Sequence, residues 1–491
     1  VVVSRPRALP LYLSLVLGIV QGLALVLFGI KGAVVTLGAG YILAVFRWPH
    51  LALIAALVFI IDGLGFINPE TFFRIAGLFR LKDLVFVSLF LPLMLNIRWQ
   101  RRAKRFLDDC RTLALPVMAI LILTTLQMVR TSLQYDLPVN TCVMAGRHYW
   151  YYAFVPLAAI YLDSSHKRKS AFRLLMAVIA VLACVVIIQT VIYAVSGIRL
   201  VSDHVQFREV QWGNIRLFSR MYLEGEPLLV LGFGLAFWGL VLRKSTRGMM
   251  GYAAMAPLCA LALLFIDSRM RWVHALLVVL IPMVFLGPHI RKVRRRLLYG
   301  VPILVLVLTS LFMVTSRSDV FVSGIVERAA SAWTDFRERR GTWDYRLEDS
   351  RFRFELIREH PLFGLGLVHS DYASRFGASE VIELDEGQYF KQGVTTSDSG
   401  IVSLLVHFGA IGAIWAMWYF FSALRFCSKA MMPTEIGVLN WTCIPLIGYV
   451  TGGVLTFVTL GFFTMAGDII GHSFVLGMLG AGARLQLKSE Y

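Results

Sequence analysis

The residues of this sequence that could do chemistry are arginines placed where arginine is disfavoured, and one aspartate at the head of an apolar run. Arg216 and Arg220 stand four apart in GNIRLFSRMYLEGEP, with Glu224 and Glu226 directly after them. Read as a helical turn, that spacing puts both guanidiniums on one face. Arg269 and Arg271 stand in DSRMRW, a short turn between two apolar runs. A guanidinium is a permanently charged planar fork that takes carboxylate or phosphate oxygens in pairs. Two of them in so tight a turn need a counter-anion. Lipid headgroups reached by snorkelling supply it on one reading, and an anionic substrate group held at the membrane surface supplies it on the other. Asp398 ends the polar stretch TTSD, and Ser399 opens an apolar run of about 20 residues, long enough to cross a bilayer. A carboxylate at that boundary has water on one side and low dielectric on the other. Desolvation raises its pKa and neighbouring arginines lower it, which suits acid or base work.

The elements that must position these residues are membrane helices. Of 491 residues 58% are hydrophobic and only 16% charged, and the mean hydropathy is +0.70, a balance that excludes a soluble domain. Apolar windows predict about fourteen spans, near 11–29, 32–46, 51–67, 84–97, 113–128, 148–162, 174–196, 227–242, 250–266, 271–287, 298–315, 399–421, 438–460 and 464–482. The first, Leu11–Gly29, reads as a retained span rather than a cleaved signal. The net charge of +18 gives no nucleic-acid signal, because the basic clusters punctuate spans. Those near residues 5, 100, 168, 245, 293 and 427 are separated by four spans and then by two each time, so the positive-inside rule puts them and both termini in the cytoplasm. The expected organisation is helices 1–11 in residues 1–315, one large extracytoplasmic helical loop in 316–398, and helices 12–14 in 399–491.

Within that loop, apolar residues from Val322 to Phe336 recur at helical spacing. A second helix is expected over Arg346–His360, stopped by Pro361 and followed by a Gly364-x-Gly366 turn. An acidic loop runs from Ser370 to Thr396. Other polar segments give weaker signals. The segment NPETFFRIAGLFRLKD is spaced like an interfacial helix, and the run Tyr149-Trp150-Tyr151-Tyr152 like an outer-interface anchor. Asp62 is an intramembrane acid, and Asp468 and His472 lie at i, i+4. For these the plainer reading is helix packing, and the rival is an ion or proton path in a transporter. The six cysteines are scattered, with no disulfide or metal spacing. No internal repeat, phosphate-binding Gly-rich loop or nucleophile elbow is present.

The order of these motifs resembles the O-antigen polymerase and ligase family. It comprises Arg80-Leu81-Lys82-Asp83 opening a span, Arg216-x-x-x-Arg220 before Glu226-Pro227, Ser268-Arg269 opening a span, Arg346, Pro361-Leu362-Phe363-Gly364-Leu365-Gly366, and Asp398-Ser399 eleven residues before Gly409-x-x-Gly412. The resemblance runs over about residues 75 to 425. It implies an all-α polytopic fold of the GT-C-like kind in a bacterial inner membrane, with the active site facing outward. It implies a cofactor-independent and metal-independent glycosyl transfer from an undecaprenyl-diphosphate-linked glycan donor to a glycan acceptor, with membrane lipids and a chain-length regulator as further partners. Arg216, Arg220, Arg269, Arg271 and Arg346 are then the diphosphate clamp and Asp398 the base, with Glu224, Glu226, Arg351 and Ser399 in support. The family's His-Asn is Asp398-Ser399 here, which favours polymerisation over ligation to a lipid A core or protein.

Overall fold

A computed structural model describes residues 36, 38–60, 74–75, 79–198, 206–212, 215–222, 225–242, 246–266, 268–285, 342–376, 382–384, 388–390, 399–431, 440–457 and 463–487. The expected helices at 11–29, 298–315 and 322–336, together with Asp62, Glu224 and Asp398, lie outside them. The helices that carry or brace the site are α1 (Arg111–Tyr135), α2 (Ser165–Ser196), α3 (Glu226–Leu242), α4 (Thr246–Ile266), α5 (Arg269–Phe285), α6 (Thr342–Glu359), α7 (Gly400–Met431), α8 (Cys443–Leu455) and α9 (Ala466–Leu487). Among the described residues, four helices are long and apolar enough to cross a membrane: all or most of α1, α2, α4 and α7. Shorter apolar helices fill further expected positions, at Gly38–Arg47, Pro49–Ile60 and in α3, α5, α8 and α9.

A helix apolar on every side has no polar face to turn outward, so it sits inside. In α3 every residue from Glu226 to Gly239 is buried, and α4, α5, α8 and α9 pack around it. Helices at the rim instead turn leucine, isoleucine and valine outward, as Leu126, Val195 and Ile414 do, a surface suited to lipid rather than water. Close approach is bought with small residues. A Cβ on Gly448 of α8 would lie 2.5 Å from the Val278 carbonyl oxygen of α5, the small-residue packing expected of helices in lipid. Indole N–H groups bridge helices as well: Trp238 donates to the Val278 carbonyl at 3.1 Å and Trp415 to that of Pro116 at 2.8 Å.

Five expectations are corrected. The region expected as a span at 148–162 is a 3-10 turn, Arg147–Ala153, running into a short helix, Phe154–Tyr161. Tyr149, Tyr151 and Tyr152 are buried there, and Tyr152 stacks edge-on against Trp415 and Tyr419. The aromatic run is core, not an interface anchor, because α1 and α9 pack on it and rings of α7 close over it. Helix is also not universal. Among the described residues there are three antiparallel two-stranded hairpins: β1 (Arg74–Ile75) with β2 (Phe79–Arg80), β3 (Gln206–Trp212) with β4 (Ile215–Tyr222), and β5 (Ile382–Leu384) with β6 (Gln388–Phe390). The first lies where an interfacial helix was expected. The second carries Arg216 and Arg220, so the helical-turn reading of that pair is replaced by a strand. Trp212 pairs with Ile215, and the two paired runs are rich in β-formers. Span 84–97 is likewise divided, into Leu81–Ser88 and Leu91–Leu95, with Pro92 starting the second piece.

The cysteines form no disulfide among themselves. Burial pushes the Cys142 thiol above its ordinary pKa, partly offset by the Thr141 hydroxyl, so it is a poor nucleophile.

Candidate active site

The site is built around a break in α7. Gly409 has φ 61° and ψ −150° inside an otherwise continuous helix, which frees backbone groups on both sides. The turn Pro361–Gly366 fills the gap. Ala410 N–H donates to the Pro361 carbonyl at 2.9 Å, Ile411 N–H to that of Leu362 at 3.3 Å, and Gly366 N–H to that of Val406 at 3.2 Å. Gly364 and Gly366 hold positive φ of 67° and 113°, conformations that glycine adopts freely. α1 pins the wedge from behind. The Gln127 amide donates to the carbonyls of His407 at 2.7 Å and of Phe363, and Arg130 donates to those of Phe363 and Gly364, both at 3.1 Å. Leu367 N–H donates to the Thr131 hydroxyl at 3.0 Å.

This wedge fixes the first half of α7, and with it the chain just after Asp398. Ser399 is half-buried and Gly400 starts the helix, whose N-terminal end favours negative charge. Ile401 N–H donates to the Phe457 carbonyl at 3.2 Å, tying the start of α7 to the chain leaving α8. α6 ends at Glu359, just before Pro361 as expected, and packs against α7. The elements bearing Arg346 and the residue after Asp398 are therefore neighbours. Arg351 of α6 is exposed and Arg353 fully buried.

Arg269 is the first residue of α5, after a buried Ser268. β4, with Arg216 and Arg220, packs against α2 and α4, and α4 ends at Ile266, shortly before Arg269. On β4, Arg216 pairs with Gln211 and Arg220 with Arg208, with a register irregularity between them. For Arg216, Arg220, Arg269 and Arg346 the structure gives the backbone position.

Arg271 is placed in full, and not at an open surface. It is 1% exposed. Nη1 and Nη2 bind the two Asp468 carboxylate oxygens, each at 3.0 Å, and Nε binds Glu226 at 2.8 Å. The Tyr449 hydroxyl donates to Asp468 at 2.9 Å. The counter-anion that the sequence demanded is thus protein, drawn from α3 and α9. The same contacts show what Asp468 does: it packs helices together. His472 lies one turn further into the core.

A second buried polar group joins Lys82 and Asp83 of the sequence motif to residues that nothing in the sequence connects with them. The Tyr149 hydroxyl lies 2.6 Å from His407 Nδ1, and Arg147 forms a 3.2 Å ion pair with Asp83, beside a buried Lys82. His407 looks like one lone polar residue in an apolar run, so only its neighbours in space reveal it. Among the described residues no group of three His, Cys, Asp or Glu is placed to hold a metal.

The fold and site together define a helical, membrane-embedded protein whose candidate arginines and wedge-fixed half-helix lie on elements of one bundle. Residues 258–417 match the family model described as O-Antigen ligase. Those residues run from α4 to α7, and the match supports the likeness to the O-antigen polymerase and ligase family. No curated protein matches the sequence.

Proposed function

We propose that the protein is a membrane glycosyltransferase that polymerises a polysaccharide on the outer face of the inner membrane, taking the glycan from an undecaprenyl-diphosphate carrier. The single observation that carries this reading is that the O-antigen ligase family match, 258–417, covers Arg269, Arg346, the wedge and Asp398 together. Asp398 takes the proton of an acceptor sugar hydroxyl, which attacks the anomeric carbon of the donor as the bond to the diphosphate breaks. Attack from the side opposite the leaving group inverts that carbon. Charge gathers on the departing diphosphate, and Arg216, Arg220, Arg269 and Arg346 stabilise it. Arg271, held by Glu226 and Asp468, positions the start of α5 and hence Arg269. Residues 316–398 form the outer loop that carries the base, between helical regions 1–315 and 399–491, and a chain-length regulator is a fitting partner for that face.

The test uses cells that need the polymer. Asp398→Asn and Arg269→Ala should leave protein levels unchanged and reduce long chains on the order of 100-fold. Long chains at wild-type abundance in both variants would reject the assignment. A deletion strain should accumulate carrier-linked single repeats. Accumulation of full-length carrier-linked polymer would instead identify a ligase, the reading in which finished glycan passes to lipid A core or protein. A secondary transporter fits less well, because the Asp468 carboxylate that could serve it is already bound by Arg271 and Tyr449.

A further inference from the structure

Beside the wedge lies a cavity of about 410 Å³, within the ~300–1,000 Å³ typical of small-molecule sites. Four residues of α6 line it, Phe352, Glu355, Leu356 and Glu359. Their spacing of i, i+3, i+4 and i+7 is one face of a helix. Opposite stand Tyr135 at the end of α1 and Phe376 and Arg375 from the 3-10 turn Ser370–Phe376. His360, just before the wedge, and Leu365, within it, complete the lining.

The chemistry of the walls is mixed in a particular way. Tyr135 and Phe376 meet edge to face at 5.0 Å, and the Tyr135 hydroxyl lies 3.3 Å from His360 Nε2. Phe352 adds a third ring. Among the lining residues the carboxylates are Glu355 and Glu359 and the guanidinium is Arg375, so acid outnumbers base. A diphosphate is a poor occupant of such a place. A sugar ring is a good one: its C–H face is apolar and lies against an aromatic ring, while its edge carries hydroxyls that carboxylate, imidazole and guanidinium groups hold.

Position supports the same occupant. Leu365 belongs to the wedge that docks at Gly409, and the half-helix from Gly400 to Gly409 is about 14 Å long at ~1.5 Å per residue. Arg346 lies on the same helix as Glu355, nine residues earlier and so about 13.5 Å away along the axis. The cavity is therefore set apart from Arg346 of the proposed diphosphate clamp but joined to it by α6.

We propose that this cavity is the acceptor subsite, which takes a neutral or amino-bearing sugar at the end of the receiving glycan and holds the chain whose terminal hydroxyl reaches toward Asp398. The assignment rests on the glycosyl-transfer reading above and adds the part of the protein that recognises the acceptor.

The test is saturation-transfer NMR on the full-length protein in lipid nanodiscs. The probe is a short oligosaccharide released by mild acid from the surface polysaccharide of the cells that make this protein. The wild type should transfer saturation to the sugar ring C–H protons. Phe376→Ala should weaken binding roughly two- to ten-fold, and Glu355→Trp, made at an exposed rim position where no core is disturbed, should block it with an unchanged melting temperature. Gly251→Ala, with nothing within 4 Å of the added Cβ, should bind like the wild type. No transfer to the wild type, or equal transfer to wild type, Phe376→Ala and Glu355→Trp, overturns the subsite. If Asp398→Asn abolishes long chains while Glu355→Trp still binds, the subsite falls and the glycosyl-transfer reading stands. If Asp398→Asn leaves long chains intact while Glu355→Trp loses binding, the cavity binds glycan and the catalytic reading falls.

Discussion

At the scale of residues, Arg271 shows how a candidate for substrate binding becomes a structural tie once its neighbours are known. Its two acidic partners lie 45 and 197 residues away in sequence, so no local spacing could reveal them. What the sequence offered was the local pair Asp468 and His472, which pointed to the right residue for packing and gave no hint of Arg271. A buried charge left without its partner is costly, about 3–5 kcal/mol. Asp468→Asn removes the bidentate partner and should lower the stability of the purified protein by about that amount, seen as a lower midpoint of thermal unfolding in detergent. Glu226→Gln should cost less. Its Oε1 makes one bond to Nε and its Oε2 has no hydrogen-bond partner among the described residues, so an amide retains an oxygen for the same donor. An Asp468→Asn protein as stable as the wild type would show that the pair is not a tie.

At the scale of elements, the wedge at Gly409 turns a spacing into geometry. The turn signal of Pro361, Gly364 and Gly366 was legible, because proline and glycine punctuate structure locally. Its docking place was not, since a glycine inside an apolar run looks the same whether the helix continues or breaks. A Cβ on Gly409 would lie 2.5 Å from Gly364 N and the φ of 61° is unfavourable for other residues. Gly409→Ala should therefore strain the backbone by about 1–3 kcal/mol and push the wedge out, raising protease sensitivity across residues 361–376 and reducing polymer length. Gly251→Ala, with nothing within 4 Å of the added Cβ, is the control and should change neither. The same logic explains the other misreadings. Strands at Arg216 and Arg220 were hidden by a four-residue spacing that either structure allows, and the buried tyrosines by a composition shared with interface belts. The apolar helices were the most legible elements, because a bilayer demands them directly in the sequence.

At the scale of the whole molecule, the Arg271 tie also constrains orientation. It brings together the starts of α3, α5 and α9, and the span order places all three starts on the outer side. On the opposite side the sequence places the amphipathic helix Ile97–Asp109, with Arg98, Arg101, Arg102, Lys104 and Arg105. One carboxylate, Asp163, meets two of the cations there: Arg102 at 2.6 Å and Lys167 at 2.8 Å. Trp99 lies beneath the Arg102 guanidinium at 4.5 Å. That end keeps a surplus of positive charge, and the positive-inside rule predicts the cytoplasmic side for it, whereas the rim of the cavity at Glu355, Glu359 and Arg375 carries no such surplus. Single cysteines placed at Glu359 and at Lys104 separate the two sides. A membrane-impermeant maleimide should label the Glu359 position in intact spheroplasts and the Lys104 position only after permeabilisation. Background should be low: Cys110, Cys142, Cys259, Cys427 and Cys443 are buried, and Cys184 stands within the apolar α2. Labelling at Lys104 from outside would invert the molecule, carry the wedge and the acceptor cavity into the cytoplasm, and remove them from any donor displayed on the outer face.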